Sequence, residues 1–292
     1  MDWLKQLQKP NYWLLGLAAA VVALHLTLLD RSGEQNLLSL SILLWLSIAS
    51  LLWDKREDLK LESGIFSSLL GIILLAIVLA RSLSPAGYHF GVAPFLSGLA
   101  LCLMASGVKQ LHQYWKEIFI LSLLAFYPLF TAILKVIDLP LLTAKVASFN
   151  LWLAGFDVHQ EGVIITLPTG KVEVLEACAG LEITILMFVT AVLFLLLFPQ
   201  KNKDKIICLI LAPTLGFFIN SLRICILALL VAEGDQEGFK YWHGEDGSFV
   251  FALISVFIFG LFCWFFYIRP SSAENKSETV LKEVLQGEQK HD

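Results

Sequence analysis

The chain has 292 residues, of which 57% are hydrophobic and 16% charged, with a mean hydropathy of +0.74. Soluble domains carry about 25% charged residues, so the composition excludes an ordinary soluble enzyme and points to an all-α polytopic membrane protein. The net charge of −4 says little, because a bilayer reads local basic residues rather than the total. Those residues are scattered at the borders of apolar runs, not gathered in the patch that nucleic acid requires.

A membrane-spanning helix needs about 20 mostly apolar residues. Met1 to Pro10 is polar, lacks a small-residue cleavage site, and leads into a run from Tyr12 to Leu29 that reads as a retained first helix. A second run, Asn36 to Trp53, precedes the densest charge island, Asp54 to Lys60. The third is Ile65 to Ala80. The loop Arg81 to His89 contains Pro85 and Gly87 and should be irregular. The fourth run is Phe90 to Val108, and the fifth is Ile118 to Leu134 with Pro128 inside it. A proline removes one internal hydrogen bond, so a kinked helix is expected there, and again at Pro213.

Lys135 to Gly155 mixes Asp138, Pro140, Lys145 and Asn150 with apolar residues. It reads as an interfacial helix or as a spanning one. From Phe156 to Val174 the pattern changes to β-branched residues around Pro168-Thr169-Gly170, which predicts a small β-hairpin. A strand pair cannot stand open in lipid, so residues 156–177 should form an outward-facing hairpin region. The sixth run is Leu181 to Phe198, the seventh Ile206 to Val231, and the eighth Ser248 to Ile268. A polar tail follows from Arg269 to Asp292, with a short helix expected near Thr279 to Leu285. Residues 1–268 read as one multipass domain.

With a cytoplasmic N-terminus and no crossing by Lys135 to Gly155, eight crossings result. The inner segments then hold Lys5, Lys9, Lys55, Arg56, Lys60, Lys109, Lys116, Lys201, Lys203, Lys205 and Arg269. The outer ones hold Arg31, Arg81, Lys135, Lys145, Lys171 and Lys240. That bias agrees with the positive-inside rule. The hairpin region and the loop carrying His243 then face outward in a plasma (inner) membrane.

Chemistry concentrates in three places. Of the five cysteines, Cys102, Cys208, Cys225 and Cys263 lie inside apolar runs and read as packing residues. Cys178 alone has polar flanks, Glu176 and Glu182, and small neighbours, Ala177, Ala179 and Gly180, at a helix start. It is either a core cysteine or a nucleophile. Arg223 lies within the seventh run, where a charge is costly and is by default a functional hypothesis. The bland alternative is a structural pair with Glu182 or Glu233, or snorkelling. Asn220, three residues earlier, shares its helix face. His243 is the third candidate, as a proton carrier or as a plain loop histidine beside an interfacial Trp242. No C-x-x-C pair or metal-ligand cluster is present, so no metal or cofactor is expected.

The stretch Glu176-Ala177-Cys178-Ala179-Gly180-Leu181, then Asn220-x-x-Arg223, then His243 before the last helix, resembles the exosortase and archaeosortase family. The layout resembles it over nearly the whole chain, and the Ala-Cys-Ala-Gly form is most like the cyanobacterial branch. The resemblance implies a multipass cysteine transpeptidase or protease, with Cys178, Arg223 and His243 as its catalytic residues. Glu176, Gly180, Glu182 and Asn220 are then supporting positions. The implied substrates are exported proteins with a C-terminal motif, a transmembrane helix and a basic cluster. A surface lipid or saccharide would be the acceptor. The family often has serine where this chain has Ala179. The rival classes are a plain cysteine protease, an acyltransferase using His243, and a non-enzymatic assembly factor or transporter of a surface polysaccharide system. A transporter should show two related halves or paired broken helices, and the sequence shows no such symmetry.

Overall fold

The computed structural model describes residues 10–83 and 89–269. The helix expected near Thr279 to Leu285, most of the tail and most of the loop after Arg81 lie outside the described residues. Helices α1 (Pro10–Ser32), α2 (Gln35–Asp54) and α3 (Ile65–Ser82) come first, followed by α4 (Val92–Ser106) and a 3₁₀ turn, Val108–Tyr114. Next are α5 (Trp115–Ala125), α6 (Tyr127–Leu134) and α7 (Leu139–Leu153). Strands β1 (His159–Glu161), β2 (Ile164–Leu167) and β3 (Gly170–Glu173) lead through a 3₁₀ turn, Glu176–Cys178, into α8 (Leu181–Leu197). The chain closes with α9 (Asn202–Glu233), α10 (Gln236–His243), and α11 (Glu245–Cys263) with a π turn, Trp264–Ile268.

Six helices among the described residues are long and apolar enough to cross a membrane: α1, α2, α3, α8, α9 and α11. The count is seven if α5 and α6, with the 3₁₀ turn before them, form one span bent by 51°. The eight expected from the sequence exceed this by the Phe90–Val108 run. Its helix, α4, has 15 residues, about 22 Å at 1.5 Å per residue, short of a hydrocarbon core of about 30 Å. Gly107, with φ +72°, ends it.

The α5–α6 bend falls where a kink was expected. Phe126 interrupts the helix, yet its N–H donates to the Ser122 carbonyl (2.9 Å) and Phe130 N–H donates to the Phe126 carbonyl (3.1 Å). Backbone bonds therefore reach into the bend from both sides, which limits the unpaired groups that lipid penalises. Pro128 occupies the first turn of α6, where its missing donor costs nothing. Pro213 sits inside α9, which continues through it for 32 residues.

Three apolar clusters hold the site-bearing half together. The first joins α2, α5 and α8 through Leu44, Leu124 and Val189; the third joins α8, α9 and α11 through Met187, Ala212 and Phe259. Apolar burial gives little drive within lipid, so close backbone approach at small residues matters. A Cβ on Gly216 of α9 would come within 2.8 Å of Met187 Cγ and 3.1 Å of the Ile183 carbonyl oxygen. The second cluster joins α7, the sheet and α9 through Ala147, Ile165, Val174 and Leu227.

The ambiguous Lys135–Gly155 stretch forms α7. Asp138 caps it by accepting from Leu141 N–H (3.1 Å). Leu139, Thr143, Ala147, Ser148 and Leu151 form its buried face, while Phe149, Trp152 and Leu153 are exposed. With 15 residues it is also too short to cross alone. The expected hairpin is present: β2 and β3 pair antiparallel across Pro168–Thr169, with Leu167 opposite Gly170. The sequence reading missed β1, which adds a third strand with His159 opposite Thr166. Its three residues, His-Gln-Glu, carry no apolar alternation to betray a strand. Ile165 and Leu167 are buried and their neighbours Ile164 and Thr166 exposed, the period of a one-sided sheet.

Candidate active site

The site forms where the turn before α8, the middle of α9 and the end of α10 meet. Cys178 closes the 3₁₀ turn and is 6% exposed. Gly180 follows at the N-cap of α8 with φ +86°, a left-handed conformation that favours glycine. A Cβ there would also lie 2.7 Å from Asn220 Nδ2. Without it, Asn220 reaches the turn and donates from Nδ2 to the Cys178 carbonyl (2.8 Å). On the other side, Thr143 Oγ1 of α7 donates to the Ala179 carbonyl (2.9 Å). The backbone around the thiol is thus held from two helices.

His243 is the last residue of α10, a helix capped by Asp235 Oδ1, which accepts from Gly238 N–H at 2.9 Å. Its Nε2 lies 3.0 Å from Cys178 Sγ. The ring stacks on Phe239, one helical turn earlier, with centroids 5.2 Å apart and planes 14° apart. Trp242 packs edge-on against Phe251 of α11 and contributes to the second apolar cluster rather than standing only as an interfacial anchor. Gly247 permits that approach, since a Cβ would meet the Trp242 backbone at 2.5 Å.

Arg223 is 5% exposed. Its Nε donates to the Trp242 carbonyl (3.0 Å) and its Nη2 to the His243 carbonyl (2.7 Å). Among the described residues it forms no ion pair, so the alternative of a structural pair with Glu182 or Glu233 is not what holds it. Two orphan carbonyls at the end of α10 hold it instead.

The sequence-predicted residues Cys178, His243, Arg223, Asn220 and Gly180 therefore come together. The two glutamates stand further out. Glu176 is exposed and pairs with Lys135 Nζ at 3.3 Å. It lines a cleft of about 330 Å³ with the α6–α7 connection, Ala179 and Leu181. Glu182 accepts from Asn36 Nδ2 of α2. All five cysteines are free, and Cys208, Cys225 and Cys263 are buried in helix contacts as expected of packing residues. Cys225 Sγ donates to the Ala147 carbonyl at 3.3 Å. Sequence reasoning missed Thr143 and Phe239. Thr143 carried no signal, whereas the four-residue spacing of Phe239 and His243 was visible.

Fold and site together define a multipass membrane protein with a cysteine–histidine pair at the start of one spanning helix, of the kind cysteine-dependent enzymes use. The family model for transmembrane exosortases of the EpsH type matches residues 33–260, and the chain belongs to that family. No curated protein and no solved structure gives a significant match.

Proposed function

We propose that the protein is a membrane cysteine transpeptidase that cleaves C-terminal tripartite sorting signals and passes the exported protein to a surface acceptor. The observation that carries this reading is the 3.0 Å contact between Cys178 Sγ and His243 Nε2, a nucleophile and base within hydrogen-bond reach. Family membership supports the reaction class.

In the proposed reaction the Cys178 proton passes to His243 Nε2, and Sγ attacks the scissile carbonyl carbon. A C–S bond forms and the carbonyl π electrons move to oxygen. Arg223 uses Nε and Nη2 on the backbone, which leaves Nη1 as the guanidinium edge for that oxygen. The tetrahedral adduct collapses as His243 protonates the leaving amine, and the C–N bond breaks. The released fragment carries the transmembrane helix and basic cluster. The thioester left on Cys178 then yields to an amine or hydroxyl of a surface lipid or saccharide, with the same histidine accepting its proton. A substrate anchored by its own helix reaches the site at fixed depth, which contributes part of the orientation.

The basic-residue bias supports both termini cytoplasmic and the site on the extracytoplasmic side; the even number of crossings this implies requires the 15-residue α4 to complete a crossing with its flanking residues, by local thinning of the bilayer. The Ala177-Cys178-Ala179-Gly180 form favours the cyanobacterial branch. The test is co-expression with a tripartite-signal protein and intact mass measurement of the product. A shortened product carrying an adduct is expected, and Cys178→Ala should abolish it. If Cys178→Ala at normal abundance processes substrate at the wild-type rate, the reading fails and a non-enzymatic assembly role takes its place.

A further inference from the structure

The two partners of the dyad lie 65 residues apart in sequence. One is on a three-residue turn and the other at the end of an eight-residue helix. Neither element is long enough to fix its own position. A helix of eight residues is marginal alone, and its last carbonyls lack intrahelical donors. What fixes the distance between them is α9, which passes both.

We infer that Asn220 and Arg223 are a paired positioning device: one turn of α9 holds the backbone of Cys178 with Asn220 and the backbone of His243 with Arg223. This rests on the dyad reading above. Three residues apart, the two side chains leave the same face of α9, about 4.5 Å apart along its axis. Asn220 is 3% exposed and confined between the Cys178 carbonyl, to which it donates, and the Cα of Gly180, where a Cβ would collide with it. Arg223 binds the last two carbonyls of α10, the second belonging to His243 itself. Phe239 then sets the tilt of the imidazole. The guanidinium fork matters here as much as its charge. It reaches two adjacent carbonyls through Nε and Nη2, which a lysine ammonium on a flexible stem does not reproduce. Because both residues lie on α9, one turn apart, the sulfur-to-nitrogen distance is referred to one helix.

The prediction is that loss of either hold separates the dyad without removing a reacting group. The readout is the pH profile of Cys178 alkylation by iodoacetamide, in membranes, followed by mass spectrometry. Alkylation displaces iodide at the reagent's CH2 carbon and forms no tetrahedral oxyanion, so it is blind to any oxyanion role of Arg223. The variants are Asn220→Ala, Asn220→Asp, Arg223→Lys and His243→Ala. His243→Ala should shift the profile to that of an unassisted thiol. Asn220→Ala and Arg223→Lys should each reproduce that shifted profile, with alkylation at neutral pH slowed about 10-fold to 100-fold, the scale on which a 1 Å misplacement acts. Asn220→Asp should slow alkylation at neutral pH at least as much as Asn220→Ala, because an ionised carboxylate has no proton for the Cys178 carbonyl and its charge disfavours the thiolate. A purely structural role would lower abundance or melting temperature and leave the profile of the surviving protein unchanged; that result overturns the proposal. A wild-type profile in His243→Ala would instead remove the dyad, and the proposal with it.

Discussion

Gly180→Ala is the substitution whose cost can be worked most directly from the structure. The residue sits at φ +86°, where an L side chain costs about 1–2 kcal/mol. The new Cβ would lie 2.7, 2.9 and 3.0 Å from three side-chain atoms of Asn220, all inside ordinary contact. The asparagine is 3% exposed and must move. Moving it breaks the 2.8 Å bond to the Cys178 carbonyl and leaves buried polar groups unpaired, about 1–3 kcal/mol. The combined cost is about 2–5 kcal/mol, concentrated on the turn that carries the thiol. Processing of a tripartite-signal substrate should fall by about 10-fold to 100-fold, the scale on which a 1 Å misplacement of a reacting group acts. The melting temperature in detergent should fall as well. Gly260→Ala is the control. A Cβ there meets no atom within 4 Å among the described residues, and alanine is the better helix former, so stability and processing should hold or rise slightly. If Gly180→Ala retained wild-type processing and melting while Gly260→Ala behaved as stated, the close packing of Gly180 on Asn220 would be the wrong account of this turn.

Other outcomes follow from the same geometry. Cys178→Ser should process substrate nearly as poorly as Cys178→Ala at equal abundance, because a hydroxyl is a weaker nucleophile at neutral pH; intact mass of the co-expressed substrate reads both. Thr169→Cys, at the exposed two-residue turn between β2 and β3, should react with a membrane-impermeant maleimide in intact cells, and labelling only after permeabilisation would place the sheet and the site on the cytoplasmic side. Thr169 is the better probe than Gly170, whose Cβ would lie 3.0 Å from the Val231 carbonyl oxygen. At the far end of the bundle, Lys55 Nζ binds Glu117 Oε2 at 2.8 Å, with the glutamate buried and the lysine partly exposed. Glu117→Ala should lower stability by about 2–3 kcal/mol, less than a fully buried pair because Lys55 reaches solvent, and leave the pH profile of Cys178 alkylation unchanged in the folded protein; a changed profile would tie the two ends together.

Much of this protein was legible without coordinates, and the reason is physical. Lipid leaves the backbone no partner but itself, so long apolar runs become helices, and the runs beginning at Tyr12, Asn36, Ile65, Leu181, Ile206 and Ser248 did so. The turn Pro168–Thr169 was readable from local turn chemistry. Cys178, Arg223 and His243 stood out because each was a polar residue where apolar ones were the rule. Their meeting, however, is a property of the tertiary structure. The stretch containing Pro128 joined two helices at 51° and the Phe90 run closed after 15 residues, because where a helix ends is set by packing and glycine geometry rather than by hydropathy. β1 came from pairing with a neighbour and not from its own residues. The partners of Arg223 came only from packing: a sequence reports a cation in an apolar run, and the structure shows that it faces two carbonyls at the end of a short helix rather than a carboxylate. Side-chain chemistry is a local property of the chain, whereas the 3.0 Å between sulfur and imidazole is set by three segments packed on one another.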